Sequence, residues 1–467
     1  MTDRPSASDR AAAADPEARD VALTVAGSDS GGGAGVQADL KTMAALGVFG
    51  TSAVTSVTAQ NTCGVDAVDD VSTDVVAAQI RAVTDDFAVG AAKTGMLSSA
   101  DIIETVASAL DGAAFPLVVD PVMVAQSGDR LLAADAEASL RDDLLPLAAL
   151  ATPNLPEAAA LAEMTVDDED DMRAAAARIA GDDGETGPAA VLVTGGHLGD
   201  GDAVDVLYAD GDTRVFRNRR FDTDATHGSG CTLSSAIAAG LARGDDLSAA
   251  VARAEAFVAR AVRYGLDVGD GPGPVHHLAA ARNDAAGTDA VRAVDEVVRA
   301  LEAAGVDALV PEVGLNVAVA TPYAVGTDDV AAVDGRIHRT VDGVAAAGPA
   351  RLGASSHVAR LLLAVREYDP AVTAAANVRL DDDVAAAVTE RFDAVEVDRT
   401  AEPDASPTER RDGGTMSWTV DRAMTGRDDA PDAVFDRGAV GKEPMCRVFA
   451  ETPAALRDRL VDLGGRL

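Results

Sequence analysis

The chain has 467 residues, of which 48% are hydrophobic, so it is long enough for two or three domains with substantial cores. Its formal net charge of −38 argues against nucleic acid and anionic membranes as partners. The three cysteines are far apart and form no CxxC pair, which indicates a reducing compartment without structural zinc. Since no apolar stretch resembles a signal peptide or a membrane span, we expect a cytoplasmic protein.

Acidic residues are spread along the whole chain, and only three of the 39 basic residues are lysines, namely Lys41, Lys93 and Lys442. A solvated acidic coat with so few lysines predicts a halophilic protein, suited to a high-salt cytoplasm. Because arginine replaces lysine almost everywhere else, we expect the retained Lys442 to have a functional role.

Residues 1–20 lack periodicity and are expected to form a mobile tail. The buried strand Val21–Val25 then leads into the glycine-rich segment Ala26–Gly35 and a helix whose apolar stripe begins at Val36. The loop lacks the Gly-Lys-Ser/Thr ending of a Walker loop, so its pattern alone assigns no nucleotide. Asp39, one turn into the helix, is close enough to touch a ligand in the loop or is simply a surface carboxylate in the first turns of the helix.

The alternation of strand, polar loop and helical segment continues along the first half of the chain. The further predicted strands are Thr51–Thr58, a short segment near Phe87–Ala92, Leu117–Asp120, Ala149–Thr152 and Val191–Thr194. This order predicts a mostly parallel sheet with helices on both faces. The polar residues that follow the strands then meet at one edge of the sheet, where ligands bind in such folds.

Asn154 and Glu157 follow one of these strands. They have the spacing of a helix N-cap and its reciprocal glutamate, and Pro156 is tolerated in a first helical turn. Capping alone is sufficient to explain the pair. The alternative is that both residues hold Mg²⁺ beside a nucleotide, directly or through water.

The segment Asp224–Cys231 is rich in glycine and opens a helix whose apolar stripe begins at Leu233. Such a loop leaves backbone N–H groups pointing outward with the positive end of the helix behind them, which favours an anion. A tight turn made by Gly228 and Gly230 is the simpler interpretation.

A series of motifs across residues 21–278 resembles the hydroxymethylpyrimidine/phosphomethylpyrimidine kinase family of thiamine biosynthesis. The motifs are Ala26–Asp29, Gly32–Lys41, Ala59–Thr62, Lys93–Leu97, Asp120–Met123, Thr152–Ala158, Gly195–His197, Thr226–Cys231 and Gly273–His277. The resemblance implies a ribokinase-like fold that holds ATP and substrate at the carboxyl edge of its sheet. It also implies phosphorylation of 4-amino-5-hydroxymethyl-2-methylpyrimidine and then of its monophosphate.

The same resemblance implies catalytic roles for the turn that opens the later helix. The amides of Gly228, Ser229, Gly230 and Cys231 would receive the charge that develops on the transferred phosphoryl group. Cys231 stands where related sugar kinases carry an aspartate base. We expect the helix N-terminus to lower the pKa of its thiol so that it accepts a proton, unless Cys231 only packs the helix.

The resemblance places the pyrimidine against Gly27, Asp39, Gln60 and Met96, because a carboxylate and a carboxamide can read an aminopyrimidine and methionine offers an apolar surface. It also implies a homodimer formed through the kinase domain.

For Mg²⁺–ATP the resemblance implies Asp120 and Glu157 at the metal and Asn154, Thr194 and Gly196 at the nucleotide. Thr194 departs from the family pattern, which often has lysine there. The phosphates would then depend more on Mg²⁺ and the backbone for neutralisation.

Residues 279–289 are predicted to be a linker, followed by a helix with the stripe that begins at Val291 and by a strand over Val313–Ala320. Residues 290–467 are long enough for a domain with its own core. This second half resembles the archaeal-type thiamine-phosphate synthase domain, an α/β domain, most specifically at Gly353–Arg360 and Gly441–Met445.

That second resemblance implies condensation of the pyrimidine diphosphate with thiazole phosphate, releasing pyrophosphate. Arg351, Arg379 and Lys442 are the candidates for binding the phosphates, and His357 for protonating the leaving group or bonding a phosphate. Two alternatives remain open at this point. The second domain could be a ligand sensor without activity, and the kinase could act on another alcohol such as pyridoxal.

Overall fold

The computed structural model of the protein describes residues 19–123, 131–133, 136–181, 186–196, 201–399, 414–438 and 443–467. The chain divides into two compact units, Met1–Ala280 and Ala281–Leu467. In the part of the chain that the structure describes, no helix is long and apolar enough to cross a membrane.

The first unit is built on one large sheet. Its strands are β1 Val21–Ala26, β2 Phe49–Val54, β5 Val89–Thr94, β6 Leu117–Val119, β7 Leu150–Ala151, β8 Ala190–Gly195, β9 Ala203–Ala209 and β10 Asp212–Asn218, and a separate hairpin contains β3 Ser56–Asn61 and β4 Gly64–Asp70. The sheet order is β10-β9-β8-β7-β6-β5-β1-β2. The six strands from β8 to β2 are parallel, whereas β9 pairs antiparallel with both β8 and β10, so the predicted mostly parallel sheet is confirmed.

Helices cover both faces of this sheet. They are α1 Gly35–Ala45, α2 Thr73–Thr84, α3 Ala100–Leu110, the short α4 Glu137–Ser139 with a π-helical turn Leu140–Leu144 and a 3-10 turn Leu145–Leu147, α5 Leu155–Ala162, α6 Glu169–Ala180, α7 Ser229–Ala242 and α8 Leu247–Arg263. One core contains Ile103 and Met172, and the core on the other face contains Ile237 and Phe257. The inner strands are apolar on both sides because both sides are covered.

The second unit has a seven-stranded sheet. Its strands are β11 Asn316–Ala320, β12 Val330–Val333, β15 Ala350–Leu352, β16 Ala374–Arg379, β17 Ala394–Glu396, β18 Ala433–Asp436 and β19 Met445–Ala450, and a small hairpin contains β13 Ile337–Thr340 and β14 Gly343–Ala346. The order is β15-β12-β11-β16-β19-β18-β17. Only the pair β17–β18 is parallel among the described strands of this sheet.

Helices also pack on both faces of the second sheet. They are α9 Ala279–Ala304, α10 Ser356–Val365, α11 Asp382–Arg391, α12 Gly414–Met424 and α13 Pro453–Gly464, with 3-10 turns at Asp307–Leu309 and Thr327–Asp329. The core under α9, α11 and α13 contains Val294 and Leu301 from the predicted stripe. The core on the opposite face lies under α10 and α12.

The prediction of a linker over residues 279–289 is wrong, because these residues form the first turns of α9. The segment is rich in alanine, which favours helix strongly enough to outweigh its Asn, Asp and Gly residues. Asn283 is 2% exposed and ties this end of the helix into the second unit. Its side chain donates to Asp329 Oδ1 at 2.7 Å and accepts from the Tyr323 amide at 3.1 Å.

Candidate active sites

The carboxyl ends of the parallel strands gather polar groups at one edge of the first sheet. Thr94 ends β5, Asp120 follows β6, Thr152 follows β7 and Gly195 ends β8. Parallel register brings these ends side by side, with the Asp120 amide donating to the Thr94 carbonyl at 3.0 Å. The predicted meeting of polar loops at this edge is therefore confirmed.

The turn before α7 is open at its mouth. Gly228 is the N-cap with φ of +80°, and no side chain caps the helix. Gly230 is exposed and has open space around it, as an anion-binding turn requires. One of the four predicted donors is already used, because the Ser229 amide donates to the Thr226 carbonyl at 3.1 Å. The expectation that Ser229 offers a free amide is therefore wrong in this structure.

A buried carboxylate joins this turn to the glycine loop after β1. Asp29, 2% exposed, accepts hydrogen bonds from the amides of Gly31, Gly33 and Ala34 at 2.7–2.8 Å, and its Oδ2 lies 3.2 Å from His227 Nε2. Burial raises the pKa of Asp29, but the contact with His227 and the amides outweigh it and hold the pKa below its usual range. Asp29 thus fixes two loops against each other.

Asp39 forms an ion pair beneath the same turn. Both side chains of the Lys93–Asp39 pair are 0% exposed, with Nζ 2.9 Å from Oδ1. Thr24 and Ser235 also donate to the carboxylate, at 2.6 and 2.5 Å. Burial alone would lower the pKa of Lys93, but the Asp39 carboxylate outweighs it and holds the pKa above its usual range. The structure therefore differs from the expectation that Asp39 touches the pyrimidine, because its carboxylate is enclosed by protein donors.

The expected low pKa of Cys231 is wrong. Burial raises the pKa of its thiol to about 12, and the carboxylates of Asp39 and Asp120 add to this, against a smaller opposing effect of Lys93 and the Gly35 amide. The helix N-terminus is outweighed because the thiol stands among buried carboxylates. Cys231 is therefore a neutral thiol at pH 7.

We expect iodoacetamide at pH 8 to modify the exposed Cys63 at least ~10-fold faster than Cys231, because only the thiolate reacts. Peptide mass spectrometry over a time course measures both rates. Denatured protein serves as the control, where the two rates should converge. Equal rates in the native protein would contradict a neutral, protected Cys231.

The predicted substrate residues other than Asp39 lie along the glycine loop that follows β1. A Cβ on Gly27 would come within 2.3 Å of Met96 Cε, so these two residues are in direct contact. Gln60 lies on the hairpin β3–β4, where its amide donates to Ser30 Oγ at 2.7 Å and Ser30 donates back to its carbonyl at 2.6 Å. These bonds hold Gln60 against the glycine loop, and its carboxamide oxygen lies 3.4 Å from the Thr58 hydroxyl.

The Asn154–Glu157 spacing does form a capping box. Asn154 Oδ1 accepts from the Glu157 amide and Glu157 Oε2 accepts from the Asn154 amide, both at 2.9 Å. Glu157 is nevertheless 5% exposed, and burial together with the charge of Asp120 raises its pKa to about 8. Burial likewise raises the pKa of Asp120, against the opposing effects of Lys93 and Ser234. Capping therefore leaves a buried carboxylate pair that a cation would stabilise.

The oxygen atoms available as metal ligands at this edge fit a magnesium ion that is held mainly by substrate phosphates. Thr94 Oγ1 and Thr152 Oγ1 are buried and have no hydrogen-bond partner among the described residues. With Asp120 and Glu157 they form an all-oxygen set, which Mg²⁺ prefers. The described residues contain no cluster of three or more His, Cys, Asp or Glu side chains suited to a metal. Water and phosphate oxygens would therefore complete the coordination.

Thr194 and Gly196 border the same edge. The Thr194 amide donates to the Pro153 carbonyl at 2.9 Å, which holds the end of β8 beside the Asn154 loop. Gly196 is exposed with open space around it.

A buried acid pair lies behind this edge. The Gly195 amide, between Thr194 and Gly196, donates to Asp205 Oδ1 at 2.8 Å. Asp205 is paired with Glu255, which is 6% exposed. Burial and the neighbouring Asp205 hold the pKa of Glu255 well above its usual range.

This acid pair predicts a pH dependence of stability. Between the ordinary carboxyl range and about pH 9 the folded chain binds a proton at Glu255 that the unfolded chain has lost, so stability falls as pH rises through this window. Glu255→Gln mimics the protonated form and should flatten the decline between pH 6 and 9 in urea unfolding. Glu104→Gln, at an exposed position on α3, should leave the slope unchanged. An unaltered slope in Glu255→Gln would contradict the assignment.

In the second unit the predicted residues are only partly brought together. Arg351 is paired with Asp334 at 3.0 Å and Arg379 with Asp381 at 2.8 Å, each on the rim of the sheet. Lys442 lies outside the described residues. Partial burial and then the charges of four other arginines lower the pKa of His357; these are Arg447, Arg336, Arg360 and Arg399. His357 thus lies in a positive region, and Arg351 and Arg379 are each held by a neighbouring aspartate.

The sheet order, the ligand-facing carboxyl edge and the open turn before α7 define the first unit as a ribokinase-like α/β kinase. Residues 29–276 match the family model described as phosphomethylpyrimidine kinase, and residues 293–462 match thiamine-phosphate synthase ThiN. The chain belongs to the phosphomethylpyrimidine kinase family, and its second unit carries a ThiN domain.

Known relatives agree with this assignment. A hydroxymethylpyrimidine/phosphomethylpyrimidine kinase of Streptomyces coelicolor is 52% identical over 255 residues, which is 55% of this chain and 93% of that protein. The thiamine biosynthesis bifunctional protein ThiED of Geobacter sulfurreducens is 46% identical over 269 residues, which is 57% of this chain and 54% of that protein. A Bacillus subtilis pyridoxal kinase solved as an ADP complex is 39% identical, with a TM-score of 0.52 over 56% of this chain and 98% of that one.

Sequence reasoning missed Asp29, Lys93 and His227 as parts of the kinase centre. The scarcity of lysine could have identified Lys93 as a functional residue, but this argument was applied only to Lys442. Lys41 fits the same pattern, because its Nζ donates to the Gly32 carbonyl at 2.6 Å in the glycine loop. Two of the three lysines therefore lie at this centre.

Proposed function

We propose that the chain is a bifunctional enzyme of thiamine biosynthesis. Its first unit phosphorylates 4-amino-5-hydroxymethyl-2-methylpyrimidine and then the monophosphate, with ATP as donor. Its second unit condenses the resulting diphosphate with thiazole phosphate and releases pyrophosphate. The observation that carries the kinase assignment is the open Gly228–Cys231 turn, together with the Gly27–Met96 contact and Gln60 along the glycine loop, in a chain of this family.

In this proposal the amides of Gly230 and Cys231 face the transferred phosphoryl group. The helix dipole of α7 and the buried Lys93 place positive potential behind them. Cys231 is neutral, so it is suited to hydrogen bonding at the reacting hydroxyl and not to deprotonating it. A primary alcohol needs little base assistance in a loose phosphoryl-transfer transition state.

Asp120 and Glu157 would hold Mg²⁺, with Asn154, Thr194 and Gly196 at the nucleotide. When bound, the ion neutralises the phosphates and lowers the raised pKa values of both carboxyls by its charge. Thr194 contributes no charge, so Mg²⁺ and the α7 amides carry the neutralisation. The kinase should then show a steep requirement for Mg²⁺ above the ATP concentration.

A coupled assay tests the whole proposal. The full chain is incubated with ATP, Mg²⁺, the pyrimidine alcohol and thiazole phosphate, and both pyrimidine phosphates and thiamine phosphate are measured. Formation of all three supports both activities. Diphosphate without thiamine phosphate would make the second unit a ligand-binding sensor, and its binding of the diphosphate would be measured directly. Since the related solved structures include pyridoxal kinases, pyridoxal is the competing substrate, and a higher kcat/KM for pyridoxal would overturn the first assignment.

A further inference from the structure

One face of the second sheet is divided into an apolar half and a polar half. On β11, β16 and β19, Ala318, Ala375 and Phe449 belong to the core under α10 and α12. Because side chains alternate along a strand, the residues two positions away lie on the same face. These are Asn316, Asn377 and Arg447, and strand register places them side by side across three strands.

All three polar residues are buried, at 0%, 7% and 2% exposure. Asn377 Oδ1 accepts from the Asn316 amide at 2.8 Å, and Asn377 Nδ2 donates to the Gly314 carbonyl at 3.0 Å. The arrangement is a rigid polar floor, because the two amide side chains are fixed by the backbone.

The N-terminal end of α10 lies over this polar floor. The helix packs Val358 and Leu362 into the apolar half. Arg366 directly follows the last residue of α10 and donates to the carbonyls of Val372 and Pro322, each at 3.0 Å. Val372 lies just before the start of β16, and Pro322 lies just after the end of β11. This anchors the C-terminal end of α10 at the apolar end of the strands, so its first turn points toward Asn316 and Asn377.

Positive charge surrounds the same place. Arg447 Nη1 lies 2.6 Å and Arg399 Nη1 3.4 Å from Oδ2 of Asp436, which is fully buried. Both arginines act on His357 in the first turn of α10, as do Arg336 and Arg360. The charges of four guanidinium groups therefore act on this turn of α10, and Asp436 pairs with two of them, in a chain whose net charge is −38.

A polar group at this end has no partner. Ser355 is the N-cap of α10, its side chain caps no amide, and it is only 5% exposed. Its hydroxyl oxygen is buried without a hydrogen-bond partner among the described residues. Buried hydroxyls are almost always satisfied, so this group points to a ligand.

We propose that the first turn of α10 with Ser355, His357 and Arg360 binds the diphosphate group of the second unit's substrate, above the floor of Asn316, Asn377 and Arg447. The inference rests on the proposed synthase function and assigns its leaving-group site. The Ser355 hydroxyl and the leading amides of α10 bond phosphate oxygens. Arg360 pairs with them directly, and the buried Arg447 and Arg399 supply charge from below. Four guanidinium groups suit a diphosphate better than the smaller charge of a monoester.

The test is titration calorimetry of the full chain with pyrophosphate, with excess ADP present to occupy the nucleotide site of the first unit. Ser355→Ala and Arg360→Gln should each weaken pyrophosphate binding about tenfold, the loss expected for one hydrogen bond to a charged group. Arg422→Gln, an exposed arginine on α12, is the matched control and should bind as the unsubstituted chain does. Urea unfolding followed by the fluorescence of Trp418, which belongs to the second unit, should be unchanged in all three variants, which shows that this unit is folded.

The outcomes separate the site from the synthase function. Weakened binding in both variants without any thiamine phosphate formation by the unsubstituted chain would keep the site and reject the synthase. Thiamine phosphate formation with unaltered pyrophosphate affinity in both variants would overturn the site. Ser355→Ala removes no hydrogen bond of the described fold, so a loss of affinity there reports on the ligand.

Discussion

Gly228→Ala is expected to reduce phosphorylation of the pyrimidine alcohol by at least ~100-fold in kcat/KM, comparable to the loss of a transition-state hydrogen-bond donor. Gly228 has φ of +80°, and an added Cβ would lie 1.9 Å from the carbonyl oxygen of Gly33. That carbonyl belongs to the loop held by Asp29, so neither partner can move independently. The turn must shift, and the amides of Gly230 and Cys231 shift with it. Steady-state kinetics with saturating Mg²⁺ measures the effect.

The other end of α7 offers a matched control. Gly244 has φ of +83°, but no atom lies within 4 Å of an added Cβ. Gly244→Ala therefore imposes the same backbone strain of about 1 kcal/mol without a clash, and should leave kinase kinetics nearly unchanged. If both variants lost activity equally, the effect would be one of helix strain and not of the anion-binding turn.

Lys93→Met should destabilise the first unit by about 3–5 kcal/mol, the cost of leaving one partner of a buried ion pair uncompensated. Asp39 would keep its hydrogen bonds from Thr24 and Ser235 but lose its only cation in the described contacts. Kinase activity should fall as well, because positive potential behind the α7 amides is lost. Urea unfolding followed by circular dichroism measures the stability change.

A double-mutant cycle identifies the cause. Adding Asp39→Asn to Lys93→Met removes the stranded charge and should recover at least ~1 kcal/mol, since an unpaired buried charge costs more than a neutral amide. Arg141→Gln, which breaks an exposed pair with Glu163 at 3.2 Å, should cost no more than about 1 kcal/mol. Strict additivity of the two substitutions at Lys93 and Asp39 would contradict the assignment.

Local patterns predicted most of the secondary structure and some of the site. The strand β1, the glycine loop and α1 follow from apolar periodicity and glycine placement over adjacent residues. The Asn154–Glu157 spacing predicted a capping box, which the structure contains. Residues 279–289 were wrongly predicted to be a linker, because that prediction gave more weight to their polar residues and glycine than to the helix propensity of their alanines.

What sequence reasoning missed depends on contacts between distant parts of the chain. Lys93 and Asp39 are 54 positions apart, and His227 and Asp29 are 198 positions apart. The sign of the Cys231 pKa shift was wrong for the same reason. The helix N-terminus is visible in the sequence, whereas the buried carboxylates that outweigh it arrive from other strands and helices. In the second unit, the charges of Arg336, Arg399 and Arg447, from three separate segments, lower the pKa of His357.

The uninterrupted helix α9 has a practical consequence for separating the two activities. A fragment that starts at residue 290 would lose eleven residues of a 26-residue helix, including the Asn283 bonds to Asp329 and Tyr323. The new terminus would fray next to the core that Val294 and Leu301 complete. A gene fragment intended to produce the synthase half alone should therefore encode the helix from its first turn, since a shorter one would confuse loss of folding with loss of catalysis.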